Sequence, residues 1–235
     1  MSQDALLDGR IKAALRQLKL PQMARSYRDH ARQSRDTGRS HEEYLLELLD
    51  EELRQRAVNV ARQRRQQARF PIARTLDQFD FTRQPDLNRD LILQLARGDW
   101  VKEARPLLLA GPVGTGKTHL AIALGLEATE RRYRVRFYRA DDLVRELTEA
   151  HGEREVSRLM AKLDRVDLLI LDELGFVPFE RTGAELLFNA LAHDPTHLIA
   201  HLVDTVDLRI GSCDLVASAR RSHGPGRHLP RVQGR

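Results

Sequence analysis

Residues 111–121 read GPVGTGKTHLA. This stretch matches the phosphate-binding loop pattern G-x-x-x-x-G-K-[ST] at every fixed position. An apolar run, LLLA, precedes it and a helical run, THLAIALGLEA, follows it, which is the strand–loop–helix context that the pattern requires. Glycines let backbone N–H groups close around a phosphate, and the amino end of the helix attracts negative charge. The sequence therefore predicts a nucleotide-binding site on an α/β fold.

The positions of this loop have separate predicted roles. Lys117 is expected to bridge the β- and γ-phosphates of ATP, and Thr118 to offer its hydroxyl to Mg²⁺. His119 follows directly, although its place on the helix also fits a surface or core residue. The residues predicted to contact the nucleotide are Gly111, Pro112, Val113, Gly114, Thr115, Gly116, Lys117, Thr118 and His119.

A second stretch, VDLLILDE at residues 166–173, is an apolar run that ends in two acids. A buried strand that ends in acid is where a phosphate-loop protein carries its second metal-binding element, although an ordinary buried strand would give the same pattern. Asp172 is expected to hold Mg²⁺ through water, and Glu173 to polarise the attacking water. The predicted catalytic residues are thus Lys117 and Glu173. The acid pair favours ATP hydrolysis over GTP switching, and the sequence has no guanine-reading NKxD motif.

Strand and helix patterns alternate around these two stretches. Apolar runs at residues 107–110, 135–138 and 167–171 predict strands, and periodic runs at 117–130, 141–151, 153–163 and 180–192 predict helices. Asp141 is expected to cap its helix. This alternation predicts a parallel sheet with helices on both faces.

Residues 1–69 have a helical pattern throughout and predict a small all-α N-terminal domain. Ser40 and Glu43 fit a capping box in front of a long helix. The second half of that helix is basic, with Arg54, Arg56, Arg62, Arg64, Arg65 and Arg69. These arginines could contact DNA phosphates, face solvent or pair with acids of a neighbour; with few aromatics nearby, any DNA contact would be to the backbone. In the segment that follows, Phe79 and Phe81 are expected to pack.

The composition limits the class of protein. The net charge is +5, and only five of the 39 basic residues are Lys. Arginine suits phosphate contact, although an arginine-rich chain also follows from a GC-rich genome. A single cysteine, Cys213, allows no internal disulfide and argues against a zinc site. No apolar run approaches the roughly 20 residues that cross a bilayer, and the start lacks a secretory h-region, so we expect a cytoplasmic protein without membrane contact.

Several stretches together resemble the IstB-type family, whose members are ATP-dependent helpers of insertion-sequence transposases, related to DnaC helicase loaders within the AAA+ ATPases. The stretches are LRQLKLPQMARSY, the helix ending RQQARFP, TLDQFDF, GPVGTGKTHLA, and LLILDELGFVPF with ELLF. The resemblance covers residues 5–192. It implies an AAA+ fold, ATP and Mg²⁺ as cofactors, a homo-oligomer that assembles on duplex DNA, and a cognate transposase as partner. A DnaC-like helicase loader and a non-catalytic copy with residual nucleotide or DNA binding are the alternatives.

After residue 192 the sequence departs from the family pattern. It has no Thr-Thr-Asn sensor, no Asp-Arg-Leu helix, and no aromatic ring of Phe, Tyr or Trp after Phe188. A shifted reading frame, a truncated copy or a divergent C-terminus would each explain this, and we expect weak or absent ATP turnover. Only the run at 198–203 could fill the central strand position beside the loop strand, which would put Asp204 and Thr205 at the sensor position.

We expect the chain to divide into four segments. They are a helical assembly domain at residues 1–69, a linker at 70–85, an incomplete ATPase core at 86–192, and a divergent, partly disordered tail at 193–235. Gly175, Pro178 and Phe179 fall in a block after the acidic pair, for which we expect a structural role.

Overall fold

A computed structural model describes residues 3–85, 87–174, 180–193, 198–203 and 216–218. The chain divides into two compact units, residues 1–63 and residues 64–235. The boundary falls within the third helix. Each unit is described by itself below.

The first unit is helical, as the periodicity predicts. Its small core consists of Met23, Tyr27 and Leu48, against which Ile11 and Leu15 pack. The helices are α1 (Gln3–Gln17), α2 (Pro21–Thr37) and α3 (His41–Ala68), the last of which continues into the second unit.

The capping box in front of α3 is present in both directions. The backbone N–H of Ser40 donates to Glu43 Oε2 at 2.8 Å, and the backbone N–H of Glu43 donates to Ser40 Oγ at 3.2 Å. These two bonds satisfy N–H groups that the first helical turn leaves without partners. The start of α3 is therefore set by local sequence, as predicted.

The second unit alternates strands and helices. Before the first strand, a short 3₁₀ turn at Phe81–Arg83 precedes α4 and α5. The elements are α4 (Arg89–Leu95), α5 (Asp99–Lys102), β1 (Leu107–Gly111), α6 (Lys117–Glu130), β2 (Val135–Arg139), α7 (Ala140–Gly152), α8 (Val156–Leu163), β3 (Leu168–Leu174), α9 (Arg181–His193), β4 (Leu198–Val203) and β5 (Val216–Ser218).

The strands form one parallel sheet in the order β2-β3-β4-β1-β5. In this sheet β4 lies between β1 and β3, with Ile199 opposite both Leu107 and Ile170. The run at 198–203 thus occupies the central strand position, as predicted from the sequence. The described sheet includes two strands, β4 and β5, from the segment after residue 193.

Helices cover both faces of the sheet, which confirms the predicted α/β architecture. Alternate residues of β3 point to opposite faces. Leu168 and Ile170 join a core with α6, whereas Leu171 joins a core with Leu143 of α7 and Leu187 of α9. Burial on both faces explains why the strand is an unbroken apolar run.

One helix start differs from its prediction. Helix α7 begins at Ala140, and its N-cap is Arg139, which makes no side-chain capping bond. Asp141, predicted as the cap, lies inside the first turn, where Asp141 Oδ1 accepts the backbone N–H of Asp142 at 2.9 Å. The prediction was wrong because strand β2 runs to Arg139 and leaves no turn before the helix.

The packing role predicted for Phe79 is confirmed, and Trp100 packs in the same core. Both side chains are buried in the core that α6 shares with the sheet. Trp100 Nε1 donates to the carbonyl of Leu95 at 2.7 Å, which satisfies its polar atom. Among the helices of the described ranges, none combines the length and apolar character needed to cross a bilayer.

Candidate nucleotide-binding site

The phosphate-loop sequence forms the connection between β1 and α6. Its turn is closed by Thr115 Oγ1, which donates to the carbonyl of Pro112 at 2.8 Å. Gly114 and Gly116 have φ angles of 79° and 86°, in the left-handed region that favours glycine. The loop therefore wraps back on itself at the amino end of α6, where backbone N–H groups have no helical partners.

Lys117 is the first residue of α6, and its side chain is buried within the loop, 6% exposed. Its ammonium Nζ donates to the carbonyls of Gly111 and Pro112, each at 2.6 Å. These are neutral acceptors that a phosphate oxygen could replace, because a charge-assisted bond to an anion is stronger. The loop thus holds a positive charge where an anion would enter.

Thr118 and Asp172 meet at this site although they are distant in sequence. Thr118 Oγ1 donates to Asp172 Oδ1 at 3.1 Å, and Asp172 is 4% exposed. A hydroxyl and a carboxylate are the hard oxygen ligands that Mg²⁺ prefers, with water completing its shell. In the described part of the chain, no group of three or more His, Cys, Asp or Glu is placed so that it could hold a metal ion. The pair fits Mg²⁺.

Glu173 occupies a bulge at the end of β3. The register between β3 and β4 shifts between Leu171 and Leu174, and the φ angle of Glu173 is 59°. A bulge re-aims a side chain, and here Glu173 points toward β2. Its Oε2 lies 2.5 Å from Nη2 of Arg139, and the charge of Glu173 raises the pKa of that guanidinium above its usual value.

Arg139 is a site residue that the sequence analysis missed. It ends β2, and in the sheet it lies directly opposite Asp172. The available signal was its place after the strand VRFY, because ligands of open α/β sheets bind at the carboxyl ends of the strands.

The side chain of Phe79, from the segment before α4, packs against the backbone of the phosphate loop. A Cβ atom added at Gly116 would lie 2.7 Å from Cε2 of Phe79, so the ring fits directly against the loop backbone. His119 packs edge-on against the same ring, with centroids 5.3 Å apart, and its Nε2 lies 2.8 Å from the carbonyl oxygen of Thr75. His119 therefore occupies a packing position, and its contact with nucleotide stays a prediction.

The structure brings Lys117, Thr118 and Asp172 together at the carboxyl ends of the central strands, with Glu173 beside them. Several other predicted residues lie outside the described ranges. They are Gly175, Pro178, Phe179, Asp204 and Thr205.

Comparison with known proteins places the sequence in a family context. A family model described as "IstB-like ATP binding protein" matches residues 13–208, so the match continues past residue 192, where the resemblance was expected to end. A Pseudomonas aeruginosa protein named for ATP binding and insertion sequence IS21 is 35% identical over 181 residues, which is 77% of this chain and 68% of that protein. A Pseudomonas fluorescens protein named for ATP binding and insertion sequence IS1162 is 33% identical over 213 residues, 90% of this chain and 86% of that protein.

Among solved structures, the AMPPCP-bound replication initiator DnaA from Aquifex aeolicus is similar, with a TM-score of 0.51 and 25% identity. The match covers 64% of this chain and half of the DnaA chain. The two proteins thus share the AAA+ phosphate-loop core.

Proposed function

The chain belongs to the IstB-like ATP-binding protein family, and on that premise we propose that it is an AAA+ helper of DNA transposition. In this proposal it binds Mg-ATP, self-assembles on duplex DNA and assists a cognate transposase. ATP state controls the assembly. The relatives named for insertion sequences support the transposition context.

The hydrogen bond between Thr118 and Asp172 is the observation that carries the nucleotide part. It unites the two halves of a Mg-ATP site, which the sequence separates by 54 positions. An isolated glycine-rich turn would have no reason to place a buried carboxylate there, because a buried charge is costly without partners. Lys117 adds the cation that would meet the β- and γ-phosphates.

The roles at the site follow from charge and position. Thr118 and Asp172 would hold Mg²⁺, which when bound neutralises charge on the phosphate oxygens. Lys117 would replace its bonds to the Gly111 and Pro112 carbonyls by bonds to phosphate. Glu173 would orient the attacking water once it leaves Arg139. We propose slow turnover, because the sequence lacks the family's Thr-Thr-Asn sensor.

Self-assembly is supported by the surface of the helical unit. Leu45, Leu46, Leu49 and Leu53 of α3 are each at least 40% exposed. Contiguous exposed apolar side chains of this kind mark protein–protein contacts. We propose that this face joins copies of the chain.

The nucleotide assignment is tested by Lys117→Ala. Removing an ammonium that bonds phosphate costs roughly 1.5–3 kcal/mol, so binding of a fluorescent ATP analogue should weaken by about tenfold or more. Lys102→Ala removes an exposed lysine of α5 and serves as the matched control. Unchanged ATP affinity in Lys117→Ala would sink the assignment.

The DNA and partner parts need separate measurements. Binding of a duplex to the wild-type chain should tighten when Mg-ATP is added, and Lys117→Ala should abolish that gain. A pull-down should retain the transposase encoded by the same element. Retention of a replicative helicase instead would favour the helicase-loader alternative, and duplex binding without any ATP dependence would favour a non-catalytic DNA-binding protein.

A further inference from the structure

A basic cleft of about 390 Å³ opens beside the amino ends of β2 and β3. It runs along the edge strand β2 as far as Tyr138, and none of its described lining residues belongs to the phosphate loop. All its lining residues belong to the second unit. Its cationic residues are Arg64, Arg69, Arg134, Arg136, Lys162 and Arg165.

The positive charge of the cleft is poorly compensated. Among the described residues that line it, the one carboxylate is that of Glu146, which accepts a hydrogen bond from Tyr138 Oη at 2.8 Å. Arg134 pairs with Asp167, with Nη2 to Oδ1 at 2.6 Å. Across the described ranges, no acid pairs with Arg69, Lys162 or Arg165. Three exposed cations are therefore available to an anion.

A neighbouring cleft of about 500 Å³ provides a contrast. Its arginines include Arg139 and Arg145, which pair with Glu173 and Asp142 at 2.5 Å. Arg69 and Arg136 line both clefts. The cations that set the first cleft apart are therefore Lys162 and Arg165, with which no acid pairs across the described ranges.

The lining also indicates which part of a nucleic acid would fit. Of the lining residues that the structure describes, Tyr138 alone is aromatic, and the guanidinium of Arg136 covers its ring, 5.0 Å from the centroid. Proteins that hold single strands rely on open rings on which bases stack. A cleft of guanidinium groups without an open ring suits phosphates, and phosphate contacts are independent of sequence.

We propose that this cleft binds the phosphate backbone of duplex DNA. The choice of DNA as the polyanion rests on the proposed function, whereas the excess of unpaired cations stands without it. Because none of the described lining residues belongs to the phosphate loop, the contact does not require nucleotide. In this proposal ATP controls self-assembly, and the cleft of each copy binds the DNA.

This proposal narrows the DNA-contact hypothesis for the basic half of α3. Two of its six arginines are engaged elsewhere: Arg56 pairs with Glu52, and Arg65 pairs with Glu130. Arg64, in the last turns of the helix, and Arg69, directly after it, line the cleft. The contact is therefore assigned to the helix end and to the α8–β3 turn.

The test is fluorescence anisotropy of a labelled duplex, measured without nucleotide over a range of salt concentrations. The triple variant Arg69→Ala, Lys162→Ala and Arg165→Ala removes the three unpaired cations. Each lost phosphate contact should lower the slope of log K against log salt by about 0.9, so the slope should fall by up to about 2.7. Affinity at low salt should fall by about tenfold or more.

The matched control is Arg97→Ala, Lys102→Ala and Arg154→Ala. It removes the same charge from exposed residues outside both clefts, and Arg154 shares with Arg69 a left-handed φ, 59° against 57°. It should keep the wild-type slope. The variant Arg69→Lys with Arg165→Lys should retain most of the affinity, because charge rather than packing is required.

Several outcomes would overturn the proposal. They are equal losses in the triple variant and the control, a wild-type slope in the triple variant, or a loss confined to a single strand of the same sequence. These results would leave the proposed function intact if ATP still tightened duplex binding. A wild-type chain that binds no duplex would instead overturn the DNA part of the proposed function as well.

Discussion

The guanidinium of Arg139, at the end of β2, holds the carboxylate of Glu173, at the end of β3, with 2.5 Å between Nη2 and Oε2. Both side chains are more than one-third exposed, so the pair adds little to folding stability. The pair instead sets the orientation of the Glu173 side chain. It holds this residue of the β3 bulge toward the edge strand β2. In this position the proposed water-orienting carboxylate is restrained.

Arg139→Ala should therefore raise ATP turnover. An exposed ion pair is worth up to about 1 kcal/mol, which corresponds to a rise of about fivefold at most. Phosphate release at saturating Mg-ATP measures this. Arg145→Ala, which removes a neighbouring arginine paired with Asp142, should leave turnover unchanged. Slower turnover in Arg139→Ala with unaltered ATP binding would show instead that Arg139 positions Glu173 for catalysis.

Phe79→Ala should weaken both the fold and the nucleotide site. The ring is 9% exposed and fits beneath Gly116, so its removal leaves a cavity under the loop. Burial losses of this kind cost about 3–5 kcal/mol of unfolding free energy. Urea unfolding followed by the fluorescence of the buried Trp100 measures the loss, and affinity for an ATP analogue should fall with it. Phe188→Ala is the control, since that ring is 70% exposed; an equal loss there would contradict the assigned role of Phe79.

The sequence alone predicted those structural features that depend on a local residue pattern or on the phosphate-loop motif. Ser40 and Glu43 of the capping box are three positions apart. The apolar run before Asp172 needs only a strand buried on both faces. The meeting of Thr118 with Asp172 followed from the motif, because the two halves of a phosphate-loop site converge at one edge of the sheet.

The contacts that sequence did not predict depend on tertiary neighbours. Arg139 reaches Glu173 only because β2 lies beside β3 and Glu173 has a left-handed backbone, for which a glutamate gives no signal. Likewise, the basic cleft joins cationic residues that lie up to 101 positions apart, from Arg64 to Arg165. Charge counts along the chain cannot show which of these arginines lack a paired acid.

The exposed leucines of α3 lead to a prediction about assembly. Leu46, Leu49 and Leu53 recur at helical spacing on one face, and their exposed fractions are 59%, 40% and 61%. The double variant Leu46→Lys and Leu53→Lys should shift the chain toward smaller species in sedimentation velocity, because charge on a buried interface is costly. Val58→Lys alters an equally exposed residue on another side of the helix and should leave the distribution unchanged. Identical sedimentation of wild type and double variant would rule out this face.

Helix α2 is capped from another helix. Its own N-cap, Leu20, has no capping side chain. Glu52 of α3 instead accepts the backbone N–H groups of Gln22 at 2.8 Å and Met23 at 3.1 Å, and it also accepts Arg56 Nε at 2.9 Å. Burial raises the pKa of Glu52, but the bonds from Arg56 and from the two N–H groups outweigh burial and hold that pKa below its usual value.

Glu52→Gln should destabilise the helical unit in a pH-dependent way. Because folding lowers the pKa of Glu52, its stabilisation is complete above the ordinary value of 4.5 and is lost as the pH falls through the lowered value. At neutral pH the variant should lose about 1–3 kcal/mol of unfolding free energy, since the N–H groups of Gln22 and Met23 keep a weaker acceptor. Denaturation followed by circular dichroism, repeated at pH values from neutral to below 4.5, should show this difference shrinking as the pH falls. Glu47→Gln, on the exposed side of α3 beside Arg39, should change stability little. A Glu52→Gln deficit that stays constant across this pH range would contradict the capping role of the carboxylate.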